Sequence, residues 1–311
     1  MIFIERARLR EAASPLSRFW TPMKSALAAA AVASLVAACA STSATNRISL
    51  TDTDRSAGSE VNIDSLSAVI KSNPSDANAY NVRGSAYGKA GRFKEAIADF
   101  DAAIRINPSF YQAYANRALV ERRINKDDLA FNDYNRSIQI NPEYAVAYVG
   151  RGNMYRARKQ HDLALADFNR AIELDANDAR AFHNRGLIYQ SQGQHVEAIA
   201  DFGRAIQLAP NAPEPFNARG LSYLASNDTK AALDDFNEAV KRDKNSYEAW
   251  TNEGLTYEKM GDREKAFAAF ARAANLNPNY PPARDGMRRT SGPAKTGGSG
   301  GGILSGFLGS G

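Results

Sequence analysis

The sequence predicts an all-α fold, a solenoid of six helical hairpins. Three observations predict it. The chain matches itself when shifted by 34 residues, over residues 77–280, and a fixed period of that length marks a repeat array. Whole columns recur at that period: Tyr80, Tyr114, Tyr148, Phe182, Phe216 and Trp250; Ala96, Ala130, Ala164, Ala198, Ala232 and Ala266; Phe100, Tyr134, Phe168, Phe202, Phe236 and Phe270. Within one unit, Tyr80, Arg83, Gly84 and Tyr87, then Ala96, Phe100, Ala103 and Ile104, keep the i, i+3, i+4, i+7 spacing of a helix face, with Gly91 between them.

Taken in order, residues 1–38 read as a secretory signal. Met23-Lys24 opens a short apolar run ending in small residues. That run is shorter than the roughly 20 residues a membrane span needs. The 22 residues before it are charged and contain Pro15 and Pro22, which points to a true start at Met23. The chain's formal charge is +5. Five cations against two acids in residues 1–38 supply most of it, leaving the remainder nearly neutral. No basic stripe with interleaved aromatics appears, which argues against nucleic acid.

Leu35-Val36-Ala37-Ala38-Cys39 resembles the lipobox of bacterial lipoproteins, which implies that Cys39 is lipidated and becomes the acylated N-terminus. Ala40, rather than Asp, implies the periplasmic face of the outer membrane by that same resemblance. Ordinary secretory cleavage after Ala38-Cys39-Ala40 is the alternative. Cys39 is the single cysteine, so no intramolecular disulfide can form. Residues 39–60 carry this cysteine and a Ser/Thr/Asp-rich flexible tether.

Residues 61–289 form the solenoid. Residues 61–72 look like the second helix of a truncated repeat, with Leu66, Val69 and Ile70 where Phe100, Ala103 and Ile104 sit one period later; this is an N-terminal capping helix. The repeats run 77–110, 111–144, 145–178, 179–212, 213–246 and 247–280. In the first unit Ala90-Gly91-Arg92 supplies a Gly suited to the left-handed residue after a helix end, and most repeats end in Asn-Pro or a near variant, which stops a helix. Small residues at position 8 let the two backbones approach beside the ring at position 24. The second repeat is the least regular, with Ala118, Glu121 and Ser137 replacing Gly, Tyr and Ala. Its packing is expected to be the weakest. Pro281-Pro282 opens a C-terminal capping helix in which Ala283 and Met287 share a face. Residues 290–311 are Gly/Ser-rich and read as a disordered tail.

Two further columns vary together. Position 7 is Arg83, Arg117, Arg151, Arg185 and Arg219, then Glu253. Position 23 is Asp99, Asp133, Asp167, Asp201 and Asp235, then Ala269. Both are lost in the same repeat, so each Arg is expected to pair with the Asp of its own hairpin. Such a partly buried pair fixes geometry more than it adds stability.

The aromatic at position 4, Gly at 8, Tyr at 11, Ala at 20, aromatic at 24 and Pro at 32 resemble the tetratricopeptide repeat (TPR) over residues 77–280. The resemblance implies that positions 2, 5, 9 and 12 of each first helix line a partner-binding groove. Those positions give Asn78, Asn81, Gln112, Arg122, Asn153, Arg156, Arg180, His183 and Asn217, among apolar Val146, Val149, Leu187, Leu221 and Leu255. It does not extend to the carboxylate clamp of chaperone-binding members, since only Asn153 and Asn184 fall on clamp positions. No catalytic constellation, metal set or cofactor motif appears; His161 and His195 are a repeat apart in turns. The expected role is a lipid-anchored scaffold or adaptor for cell-envelope proteins. An assembly factor for a pilus or secretion machine and a docking arm of an enzyme are the alternatives.

Overall fold

The structure, a computed structural model, describes residues 59–292. The expected signal, Cys39, nearly all of the tether and the tail from 293 lie outside these residues. The described residues hold fourteen helices: α1 (Glu60–Ser72), then the pairs α2 (Ala77–Lys89) and α3 (Phe93–Ile106), α4 (Tyr111–Arg123) and α5 (Asp127–Ile140), α6 (Ala145–Ala157) and α7 (His161–Leu174), α8 (Ala179–Ser191) and α9 (His195–Leu208), α10 (Pro213–Ala225) and α11 (Thr229–Arg242), α12 (Tyr247–Lys259) and α13 (Arg263–Leu276), and finally α14 (Pro281–Thr290). No strand occurs among the described residues.

Five of the six hairpins close on a ring laid against a glycine of the same repeat. A Cβ at Gly152 would stand 2.8 Å from Phe168, and the same distance separates Gly84 from Phe100 and Gly254 from Phe270. Phe100, Phe168, Phe202, Phe236 and Phe270 are all buried. The second repeat solves the problem differently. Ala118 occupies the glycine's place, and Tyr134 lies against Gly150 of the following repeat, where a Cβ would come within 2.2 Å of the ring. Ser137 is fully buried and its hydroxyl donates to the Tyr111 carbonyl at 2.9 Å. Glu121 is buried as well, not turned outward.

The turns between paired helices place one residue at positive φ. It is Gly91, Gly193 or Gly261 in three hairpins, and Asn125, Lys159 or Asn227 in the others. Across repeat boundaries, the Tyr148 hydroxyl donates to the Pro142 carbonyl at 3.1 Å and the Trp250 indole to the Lys244 carbonyl at 3.0 Å. Residue 4 of one repeat is thus tied to residue 32 of the last.

The five Arg–Asp pairs are two-pronged. Arg151 donates from Nε and Nη2 to the two Asp167 oxygens at 2.9 and 2.7 Å, and Arg83, Arg117, Arg185 and Arg219 engage Asp99, Asp133, Asp201 and Asp235 in the same way. A third arm reaches the preceding helix: Arg83 to Ser67, Arg117 to Asp101, Arg151 to Asn135, Arg185 to Asn169. These four guanidiniums therefore bond their own hairpin to the preceding helix, whereas Arg219 faces Gly203 and donates only to Asp235 among the described residues.

The ends differ from expectation in two places. In α1, Ile63 and Ile70 are buried, but Val69 is 46 % exposed. Residues equivalent to Val69 pack on the first helix of their own repeat, and α1 has none. At the other end, α14 runs through Thr290, which is buried and donates to the Gly286 carbonyl at 2.7 Å. The tail expected from 290 therefore starts after this residue.

Candidate functional site: the first-helix face

Successive first helices touch one another, from α2 through α12 and on to α14, while no two successive second helices approach as closely. The repeats are closer together on the first-helix side, which is therefore the inner side of this unit. The groove residues expected at positions 2, 5, 9 and 12 all lie on these helices, and the structure divides them by what they already bond.

Some are engaged within the array. Asn116 Nδ2 donates to Asn81 Oδ1 at 3.0 Å, and Asn252 Nδ2 to Asn217 Oδ1 at 2.9 Å. These amide pairs link neighbouring first helices and occupy one acceptor site on each of Asn81 and Asn217. Arg180 is exposed but pairs with Asp178, the N-cap of its own helix, at 2.7 Å. Gln190 donates to the Ala218 carbonyl and the Ser222 hydroxyl at 2.7 and 2.8 Å. Arg289 holds Glu258 at 2.7 Å. Asn78 is exposed beside the α2 N-cap.

Others retain capacity. Gln112 Oε1, Asn153 Oδ1, Arg156 Nε and His183 Nδ1 are shielded from solvent without a hydrogen-bond partner in the chain. Burial and the nearby Arg122 hold the Arg156 guanidinium below its ordinary value. Burial, then Arg156, pushes the His183 imidazole down to about 4, so it is neutral at physiological pH. Neither Arg122 nor Arg156 pairs with a carboxylate among the described residues.

Beyond His183 the face deepens into a cleft of about 450 Å³ between α8, α10 and α12, with Leu187 and Leu221 on its floor and Glu214, Asp243 and Glu248 along its rim. The acidic rim escaped the sequence reading. Glu214 and Glu248 stand in the same position-2 column as Asn78, Gln112 and Arg180, which is the signal that could have found them. The inner face is thus basic and amide-rich toward α4 and α6, apolar at α8 and α10, and acidic toward α12. Among the described residues, no three His, Cys, Asp or Glu side chains are placed to hold a metal ion, and no helix is long and apolar enough to cross a membrane.

Family profiles described as tetratricopeptide repeat match residues 77–110, 179–212 and 217–283, and one described as TPR repeat matches 152–193; together they cover more than half of the chain. No curated protein matches the sequence. Among solved structures, the Cut9–Hcn1 assembly of the APC/C is similar with a TM-score of 0.69 and 18 % identity, over 78 % of this chain and 48 % of that one. This chain therefore spans about half the length of that relative. PilW, described as a widely conserved type IV pilus biogenesis factor, gives 0.61 and 18 % identity over 67 % of this chain and 97 % of its own. YrrB, described as a TPR protein with an unusual peptide-binding site, gives 0.50 and 24 % over 61 % of this chain and 97 % of its own. At these identities the likeness is one of fold. The repeats form a scaffold for contact with other proteins.

Proposed function

The chain belongs to the tetratricopeptide repeat family, and from that premise we propose that it is a lipid-anchored scaffold at the periplasmic face of the outer membrane that gathers cell-envelope proteins through its first-helix face. The observation that carries the binding role is the division of that face. Many polar groups of the array are bonded to one another, and of the seven shielded side-chain atoms without a partner among the described residues, four gather on this face, on Gln112, Asn153, Arg156 and His183, the others being on Glu121, His195 and Glu253. Such groups each cost about 1–3 kcal/mol when left unsatisfied, so a surface that keeps four of them is built to meet something else. An extended or helical peptide is the partner such a groove accepts.

The anchor rests on the Leu35–Cys39 motif. Several acyl chains on one residue hold a protein firmly where a single chain is marginal. Metabolic labelling with a radioactive fatty acid should mark the wild-type chain and not Cys39→Ser; equal labelling of both ends the anchor reading. Crosslinking in cells followed by mass spectrometry tests the scaffold, and Arg122→Glu with Arg156→Glu should remove crosslinked partners. A second reading, assembly factor for a surface pilus, is favoured by the likeness in fold to PilW. It predicts that the crosslinked partners are pilus subunits or their export machinery rather than cell-wall enzymes.

A further inference from the structure

We propose that Arg122 and Arg156 together receive a carboxylate of a partner peptide, whose neighbouring apolar side chain seats over Leu187 and Leu221. The inference rests on the inner-face reading above and names the chemistry that face selects.

Four observations converge. Arg122 and Arg156 occupy the same place one repeat apart, on α4 and α6, and act on each other electrostatically. Other long charged or amide side chains near the same end of the first helices in later repeats are tied down: Gln190 to α10, Glu258 to Arg289, and Lys259 to the Leu224 carbonyl and Asn227. Arg122 and Arg156 are left as two like-charged groups one repeat apart, neither of them in an ion pair among the described residues. Two unpaired guanidiniums side by side repel, and an anion between them removes the repulsion while forming charge-assisted bonds. Asn153 Oδ1 and Arg156 Nε, both shielded and without a partner, lie on the same helix one turn apart, so the site has a donor facing inward beside the exposed prongs.

The occupant is a peptide rather than a free anion because the site continues. His183 senses the charge of Arg156 and also lines the cleft that holds Leu187 and Leu221. Its neutral imidazole adds no charge between the cationic and apolar stretches. One repeat step is about 10 Å, which an extended chain covers in about three residues. A carboxylate at Arg122 and Arg156 thus places the apolar anchor some three to six residues away. The acidic rim of Glu214, Asp243 and Glu248 beyond the cleft disfavours a second acid there and so sets the direction in which the peptide lies.

The test is selection of a random peptide library displayed on phage against the purified full chain, repeated with R122E/R156E, with the milder R122Q/R156Q and with Leu221→Lys. Circular dichroism checks that each variant keeps its helices. Wild type should enrich Asp or Glu spaced three to six residues from Leu, Ile or Phe. Both arginine variants should lose the acidic enrichment, with affinity of the wild-type peptides for R122Q/R156Q falling at least tenfold, and Leu221→Lys should lose the apolar one. Peptides with no acidic preference that are still lost with Leu221→Lys would overturn this proposal while leaving the inner face as the binding surface. Failure to select any peptide, or peptides indifferent to all three variants, would overturn both.

Discussion

Repeat 3 and repeat 6 solve one packing problem with and without a charge network. In repeat 3, Arg151 grips Asp167 with two prongs and Asn135 with a third, and its guanidinium lies between Tyr148 and Tyr155 at 5.6 and 5.8 Å from the ring centres. In repeat 6, Glu253 stands in that position, buried and with an unpartnered oxygen, and Ala269 replaces the acid. Yet α12 and α13 have the same lengths as α6 and α7, and the glycine-to-ring approach is 2.8 Å in both repeats. The comparison separates two jobs. The ring on its glycine closes a hairpin; the Arg network sets one hairpin on the next. The first is kept in both repeats, whereas the second, which reaches back to the preceding hairpin, is absent from repeat 6.

The comparison breaks if the rings differ in weight. Phe168→Ala and Phe270→Ala should each cost about 3–5 kcal/mol, the usual loss for a buried aromatic, read as a fall in the urea midpoint. A repeat array couples neighbours, so Phe168→Ala in the middle should uncouple two halves and broaden the transition. Phe270→Ala should release mainly α12 to α14. A small effect at either ring would show that the hairpin closes by other means.

The sharper contrast uses one substitution at two equivalent sites. Arg151→Met strands the buried Asp167 carboxylate and should destabilise by about 3 kcal/mol, as when one partner of a buried pair is removed. Glu253→Met removes a buried carboxylate that has no partner and should stabilise by about 1 kcal/mol. Opposite signs in chemical denaturation are the expected result. If Arg151→Met does not destabilise, the network contributes nothing at repeat 3; if Glu253→Met destabilises, its buried carboxyl is not a liability.

How far these features could be read from the sequence follows from where their causes lie. Whatever is local to one hairpin repeats with it: the ring and glycine columns, the turn residue, and the joint loss of Arg and Asp at Glu253 and Ala269. What depends on the distance between repeats does not. The third arm of four of the Arg residues falls on Ser67, Asp101, Asn135 or Asn169, and Arg219 meets Gly203 there, so the column has no single identity. Gly150 makes room for Tyr134 of another repeat, so neither residue alone announces the exchange. Arg180 looked free along the helix face, and its acid, Asp178, lies just outside the helix as its cap. Val69 kept the apolar pattern of a repeat, but the helix that would bury it is missing. The groove suffers most from this, because which of its side chains stay available is decided by contacts with neighbours.

Proton uptake extends the comparison to pH. Burial pushes the Glu253 carboxyl up to about 7, against an ordinary value near 4.5. The folded state therefore holds a proton that the unfolded chain has released between those values. The stability associated with this group is complete below about pH 4.5, falls as pH rises, and levels off above about pH 7. One pK unit corresponds to about 1.4 kcal/mol, so the loss is about 1–3 kcal/mol after allowing for solvent near the carboxyl. Glu121 in repeat 2, pushed up to about 7 by burial and then by Asp133, should behave alike. Melting temperatures of Glu253→Gln and Glu121→Gln should exceed that of the wild type by more at pH 8 than at pH 5. Repeat 3, with Arg at position 7 and Tyr155 at position 11, has no corresponding group, and Arg151→Gln should not show this slope.

The smallest expected effect lies in the turns of the same two repeats. Lys159 in repeat 3 adopts φ 58°, where repeat 6 has Gly261 at φ 83°. A left-handed conformation costs an L side chain about 1–2 kcal/mol, and glycine adopts it freely. Glycine also has more freedom to lose on folding, so the net gain from Lys159→Gly is about 0.5–1 kcal/mol. Asn125 and Asn227 tolerate this region better than Lys does, and Asn125→Gly and Asn227→Gly should gain less. The reverse change, Gly261→Lys, should cost about 1 kcal/mol, and because a Cβ there meets no atom within 4 Å, that cost isolates backbone strain from crowding. If Lys159→Gly leaves the thermal midpoint unchanged while Gly261→Lys lowers it, the two turns are not equivalent and the strain at Lys159 is relieved by a contact of its long side chain.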